Sequence, residues 1–127
     1  MLIGVPKEIK NHEYRVGLTP ESAAELIQAG HEIIVETQAG AGIGASDQAY
    51  QNLGVSIVSS AAEVFERAEM IIKVKEPQAG ERAMLRPEQI LYTYLHLAPD
   101  PEQTKDLIKS GAAVSYTHLT LPTNREV

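Results

Sequence analysis

The sequence predicts an α/β fold: a mostly parallel sheet with helices on both faces. Two observations carry this. Three segments, IQAGHEIIVE, QNLGVSIV and IKSGAAVSY, each end an amphipathic stretch with glycine (Gly30, Gly54, Gly111) and then enter a run rich in Val, Ile or Ala. Glycine just past a helix end takes the left-handed conformation cheaply, so helix, glycine, strand, repeated, is the signature of stacked βα units. Six such apolar runs alternate with helical stretches, the pattern of a parallel sheet covered on both sides.

The elements follow in order. LIGV (2–5) is the first strand, followed by the polar loop PKEIKNHEYRVGL. Thr19 caps a helix with Pro20 at its first position and Glu21 near its positive end. That helix carries Ala23, Leu26 and Ile27 on one face and stops at Gly30. EIIVE (32–36) is a strand, and a glycine-rich loop follows it. Ser46 and Asp47 open a short helix reaching to about Leu53, and VSIV (55–58) is the next strand. SAAEVFERA reads as a helix, MIIKVK as a strand stopped by Pro77, then a turn-and-helix stretch, then strand ILYTYLHL. Asp100, between Pro99 and Pro101, caps a helix EQTKDLIKSG, and a last strand starts at Ala112.

Composition narrows the function. A net charge of −6 argues against nucleic acid as partner. The absence of cysteine removes disulfides, thiolate nucleophiles and cysteine metal sites. No apolar run is long enough to span a membrane, and the start MLIGVPKEIK lacks the apolar region of a secretory signal. A cytoplasmic location is the expectation. His12, His31 and His118 show no metal-ligand spacing, so no metal site is expected.

Four candidates for chemistry stand out. GAGIGA (40–45) fits G-x-G-x-x-A through Gly40, Gly42 and Ala45. We read it as structural: Asp47 puts a carboxylate where a pyrophosphate would sit, and the loop follows the second strand rather than the first. Arg15 lies in a long loop after the first strand, at the sheet edge where function concentrates, and its guanidinium can grip a carboxylate by two parallel hydrogen bonds. Lys75 ends a core strand at the same edge. A lone lysine there is most simply solvated, but two cations on one rim suit a small anion. His96 shares a strand face with Tyr92 and Tyr94, opposite Leu91, Thr93, Leu95 and Leu97. It is either a core histidine or a proton donor working near neutral pH.

MLIGVPKEIKNHEYRVGLTP, IIKVKEP and LYTYLHLAPD, in that order and spacing, resemble the amino-terminal part of the alanine dehydrogenase/pyridine nucleotide transhydrogenase family, from Met1 to about Val114. The resemblance implies an incomplete Rossmann/flavodoxin-like substrate domain over 1–114. It implies NAD-dependent, reversible oxidative deamination of L-alanine to pyruvate and ammonia, in a protein that is a homo-oligomer when full length. By the same resemblance, Arg15 and Lys75 hold the substrate carboxylate, His96 is the acid/base, Tyr94 lines the pocket, and NAD is held by a further domain. His96 favours the dehydrogenase over the transhydrogenase subunits, which generally lack histidine there. The alternatives are a transhydrogenase alpha-subunit-like domain or a stand-alone small-carboxylate binding module. SYTHLTLPTNREV (115–127) does not resemble the family's continuation and is similar to read-through of sequencing-adapter DNA, so it is expected to be a non-native tail. The chain alone is expected to be inactive.

Overall fold

The computed structural model describes residues 1–93 and 101–116. Six strands, β1 (Leu2–Val5), β2 (Glu32–Glu36), β3 (Ser56–Val58), β4 (Met70–Ile72), β5 (Ile90–Thr93) and β6 (Ala113–Tyr116), form one sheet in the order β3-β2-β1-β4-β5-β6. Every pairing is parallel. This is the doubly wound order in which the chain reverses direction across the sheet between β1 and β4, and ligands of such folds bind outside the carboxyl ends of the strands at that reversal.

The helices are α1 (Pro20–Gln28), α2 (Asp47–Gln51), α3 (Ala61–Arg67), α4 (Ala79–Arg82) and α5 (Pro101–Ser110). Three start as the sequence predicts. Thr19, Ser46 and Ser60 cap α1, α2 and α3, each accepting a hydrogen bond from a backbone amide three residues on. Gly30, Gly54 and Gly111 all take positive φ, at 101°, 99° and 74°, so the helix-glycine-strand reading holds at each junction.

Strand alternation sorts the core into two layers. Ile3, Val5, Ile33 and Val35 pack with Ala23 of α1 and Tyr50 of α2. Ile34, Ile71 and Leu91 pack on the other face with Val64 and Phe65 of α3 and Leu107 of α5. Both faces are therefore covered, as a parallel sheet requires. On β5, Leu91 and Thr93 are buried while Tyr92 is exposed, which is the predicted alternation as far as the described residues reach.

One boundary differs from the sequence reading. The strand expected over MIIKVK stops at Ile72, so Lys75 stands three residues beyond it, in a bend. The cause is a competing acceptor. The amides of Val74 and Lys75 donate to the two carboxylate oxygens of Glu8, at 2.8 and 3.2 Å, instead of to a strand. Among the described residues, only the amide of Lys73 continues the ladder, to the carbonyl of Tyr92.

Candidate active site

Three loops gather at the carboxyl ends of the adjacent strands β2, β1 and β4. The loop after β1 carries Glu8, Glu13 and Arg15. It returns so tightly across the end of β4 that a Cβ on Gly17 would lie 2.5 Å from the carbonyl oxygen of Ile72. A side chain there would push the whole Arg15 segment off the strand end. The loop after β4 carries Lys73 and Lys75, and the loop after β2 carries Gln38 to Ala45. Between the first and last of these lies a cleft of about 290 Å³, with Glu8, Glu13, Arg15, Gln38 and Gly42 among its walls. A larger hollow of about 470 Å³ is lined by Pro87 and Ser110, which precede β5 and β6, and thus sits towards the amino ends of the strands. Its buried Arg82 is committed to Asp106 and to the carbonyl of Pro77. The cleft at the carboxyl ends is the stronger candidate.

Arg15 is 64% exposed in its side chain, and its guanidinium forms a fork with Glu13, Nε and Nη2 each donating to one carboxylate oxygen at 2.9 Å. The Arg15 amide donates to the same carboxylate. These hydrogen bonds hold the Glu13 carboxyl down to about 2 against the opposing effect of burial. The Lys75 ammonium adds to the same depression. Glu8, in the Arg15 loop, accepts the Lys75 amide at 3.2 Å, so these two sequence candidates lie in segments tied together at one rim. His96 and Tyr94 lie outside the described residues.

The sequence reading missed the most deeply buried charges of this rim. Lys73, with its side chain 1% exposed, sits between Glu8 and Glu81, its Nζ donating to both at 3.0 and 3.1 Å. Burial raises the Glu81 carboxyl above its ordinary value, opposed by the attraction of Lys73 and by hydrogen bonds from the Gln78 amide and Lys73. A signal was present. Strand parity puts residue 73 on the face of Ile71, under the helices, where an ammonium needs carboxylate partners.

The 40–45 loop is occupied by protein. A Cβ on Gly42 would lie 2.1 Å from the carbonyl oxygen of Tyr14, so this glycine admits the neighbouring backbone rather than a phosphate. Asp47 at the start of α2 accepts from the Thr37 hydroxyl at 2.6 Å and the Gln38 amide at 2.9 Å. These residues do not fit a dinucleotide pyrophosphate. Among the described residues no three His, Asp or Glu side chains gather as a metal site, and no helix is long and apolar enough to cross a membrane.

A doubly wound parallel α/β domain with a charged cleft at the carboxyl ends of its strands is the class of domain that receives a small polar ligand. The comparisons make this specific. The sequence profile of the family described as alanine dehydrogenase/PNT, N-terminal domain, matches residues 4–125. The chain belongs to this family. It is 50% identical over 123 residues to an alanine dehydrogenase of Halomonas elongata, covering 96% of this chain and 33% of that protein. It is 47% identical over 117 residues to the alanine dehydrogenase of Bacillus subtilis, covering 91% and 31%. A solved L-alanine dehydrogenase superposes with a TM-score of 0.87 at 49% identity, covering 90% of this chain and 31% of that one. A transhydrogenase from Sinorhizobium meliloti superposes at 0.83 with 25% identity, covering 90% and 34%. The chain spans about a third of the length of these relatives.

Proposed function

We propose that this chain is the amino-terminal part of the substrate domain of an NAD-dependent alanine dehydrogenase, which converts L-alanine, water and NAD⁺ to pyruvate, ammonium, NADH and a proton, reversibly. The observation that carries the reading is the joining of the Arg15 loop to the Lys75 turn at the carboxyl ends of β1 and β4, through Glu8. Glu13 holds the Nε–Nη2 edge of Arg15 and fixes the plane of the guanidinium. The guanidinium of Arg15 grips the substrate carboxylate as a fork. Lys75, a compact point charge, serves the carboxylate edge or polarises the carbonyl oxygen. His96 is the acid/base on the keto or imine group, and Tyr94 lines the pocket. The nucleotide belongs to a further domain, since the 40–45 loop is filled by Tyr14 and Asp47. The full-length protein is a cytoplasmic homo-oligomer. The domain native to the family spans 1–114, with 115–127 a non-native tail. The transhydrogenase alternative has less support, because the alanine dehydrogenases are about twice as identical to this chain as the solved transhydrogenase.

The test is pyruvate amination by the full-length protein, this domain continued by the downstream domains its relatives carry. Lys75→Ala should lower kcat/KM by at least ~10²-fold, because a desolvated anion loses a charge-assisted partner. Its melting temperature should stay unchanged or rise. Near-normal kinetics would remove Lys75 from the site.

A further inference from the structure

We propose that Glu8 and Thr93 are positioning residues for Lys75, acting through the backbone of its turn; this rests on the substrate-site reading above. The turn 73–75 has left the strand, and among the described residues no strand amide or carbonyl bonds to its backbone beyond the Lys73 amide. Two buried side chains do so instead. The Glu8 carboxylate, 4% exposed, accepts the Val74 amide at 2.8 Å and the Lys75 amide at 3.2 Å, and also the Lys73 ammonium at 3.0 Å. The Thr93 hydroxyl, in a residue 2% exposed, donates to the Lys75 carbonyl at 2.9 Å. Both peptide groups flanking the Lys75 Cα are thus pinned, one from the loop after β1 and one from β5.

Glu8 belongs to the same loop as Arg15, which makes its role more than local. One carboxylate ties the Arg15 loop to the Lys75 turn across the β1/β4 reversal, and so fixes the spacing of the two cations that the substrate carboxylate must bridge. An ionised carboxylate suits this task because it offers two acceptor oxygens, where an amide offers one. Lys73 sets a buried ammonium against the Glu8 carboxylate, at 3.0 Å.

The prediction separates positioning from mere stability by coupling. In the full-length protein, Glu8→Gln should lower kcat/KM for pyruvate amination at least tenfold. In a Lys75→Ala background the same change should cost no more than about twofold, because the group being positioned is gone. Thr93→Val should behave likewise with a smaller loss, and it carries the test if Glu8→Gln fails to fold. Equal losses in both backgrounds for the variant that folds would overturn the proposal. An arm independent of turnover uses amide hydrogen exchange in Glu8→Gln, which alters the acceptor of both amides. Exchange at Val74 and Lys75 should accelerate at least tenfold while the amides of Ile34 and Ile71 stay as protected as before. Unchanged exchange at 74 and 75 would overturn the anchoring. Normal kinetics for Lys75→Ala, with accelerated exchange, would instead sink the substrate-site reading and leave the anchoring intact.

Discussion

Replacing Lys73 by Met should cost about 3–4 kcal/mol of folding stability at pH 7 and far less at pH 5. The perturbation keeps an apolar stem of similar reach but deletes the ammonium that two buried carboxylates share. Removing one partner of a buried ion pair typically costs about 3–5 kcal/mol. The Glu81 share of this cost has a ceiling, because Glu81 can escape by taking up a proton. Its carboxyl is already raised by burial. Protonating a carboxyl of ordinary pKa 4.5 at pH 7 costs about 3.4 kcal/mol, roughly 2.5 pH units at about 1.36 kcal/mol each. At pH 5 the same step costs about 0.7 kcal/mol. The sign follows from linkage: a carboxyl whose folded pKa is raised favours folding when protonated, fully below pH 4.5 and progressively less as pH rises through the folded pKa. The variant's deficit must therefore shrink on acidification. Urea unfolding of the 127-residue chain, followed by far-ultraviolet circular dichroism at both pH values, reads the two free energies. A deficit below about 1 kcal/mol at pH 7, or one equal at both pH values, would refute the buried-charge argument.

Tyr50, whose hydroxyl donates to the Leu18 carbonyl at 2.8 Å, is pushed up by burial to about 12. Tyr50→Phe should cost about 1–2 kcal/mol, and alkaline titration at 295 nm should lose the highest of its tyrosine steps; an unchanged titration curve refutes the assignment. Gly42→Ala forces a methyl against the Tyr14 carbonyl and should destabilise by about 1–3 kcal/mol in thermal melts, whereas a phosphate loop empty of protein would tolerate it. Deleting residues 118–127 should leave the melting temperature nearly unchanged if the tail is foreign; because the family match reaches residue 125, a large loss would mark the segment as native.

How much was legible depended on whether the deciding interaction was local. The capping serines and Thr19 act on amides three residues away, and the helix-ending glycines act on themselves, so both could be read directly from the sequence. Strand order is not local, yet βα grammar fixes parallel pairing, and the observed sheet follows it throughout. Arg15 could be read as a cation at the carboxyl rim, but its fork with Glu13 could not, because Glu13 is two residues away in a loop without periodicity. The Lys73 triad was hidden for a different reason. Its carboxylates come from residues 65 positions before and 8 after, and nothing in a local window announces that they meet.

The two lysines of KVK show what that hidden contact does. In a continuous strand, residues 73 and 75 would point to the same face. Both ammonium groups would then enter the layer of α3 and α4, and a second buried cation would have to share the carboxylates that already serve the first. Glu8 prevents this by drawing the amides of Val74 and Lys75 to its carboxylate just after the Lys73 amide has bonded to Tyr92. The bend breaks the parity. Lys73 stays buried as the counter-ion of the fold, while Lys75 emerges half-buried at the rim, within electrostatic reach of Glu13. A strand that ended in the usual way could expose a lysine, but it could not bury its neighbour two residues back and fix both in place. One carboxylate from the loop after β1 does both, which couples the stability of the core to the geometry of the cleft. Substitutions at Lys73 should therefore be read out mainly in folding, and those at Lys75 mainly in turnover.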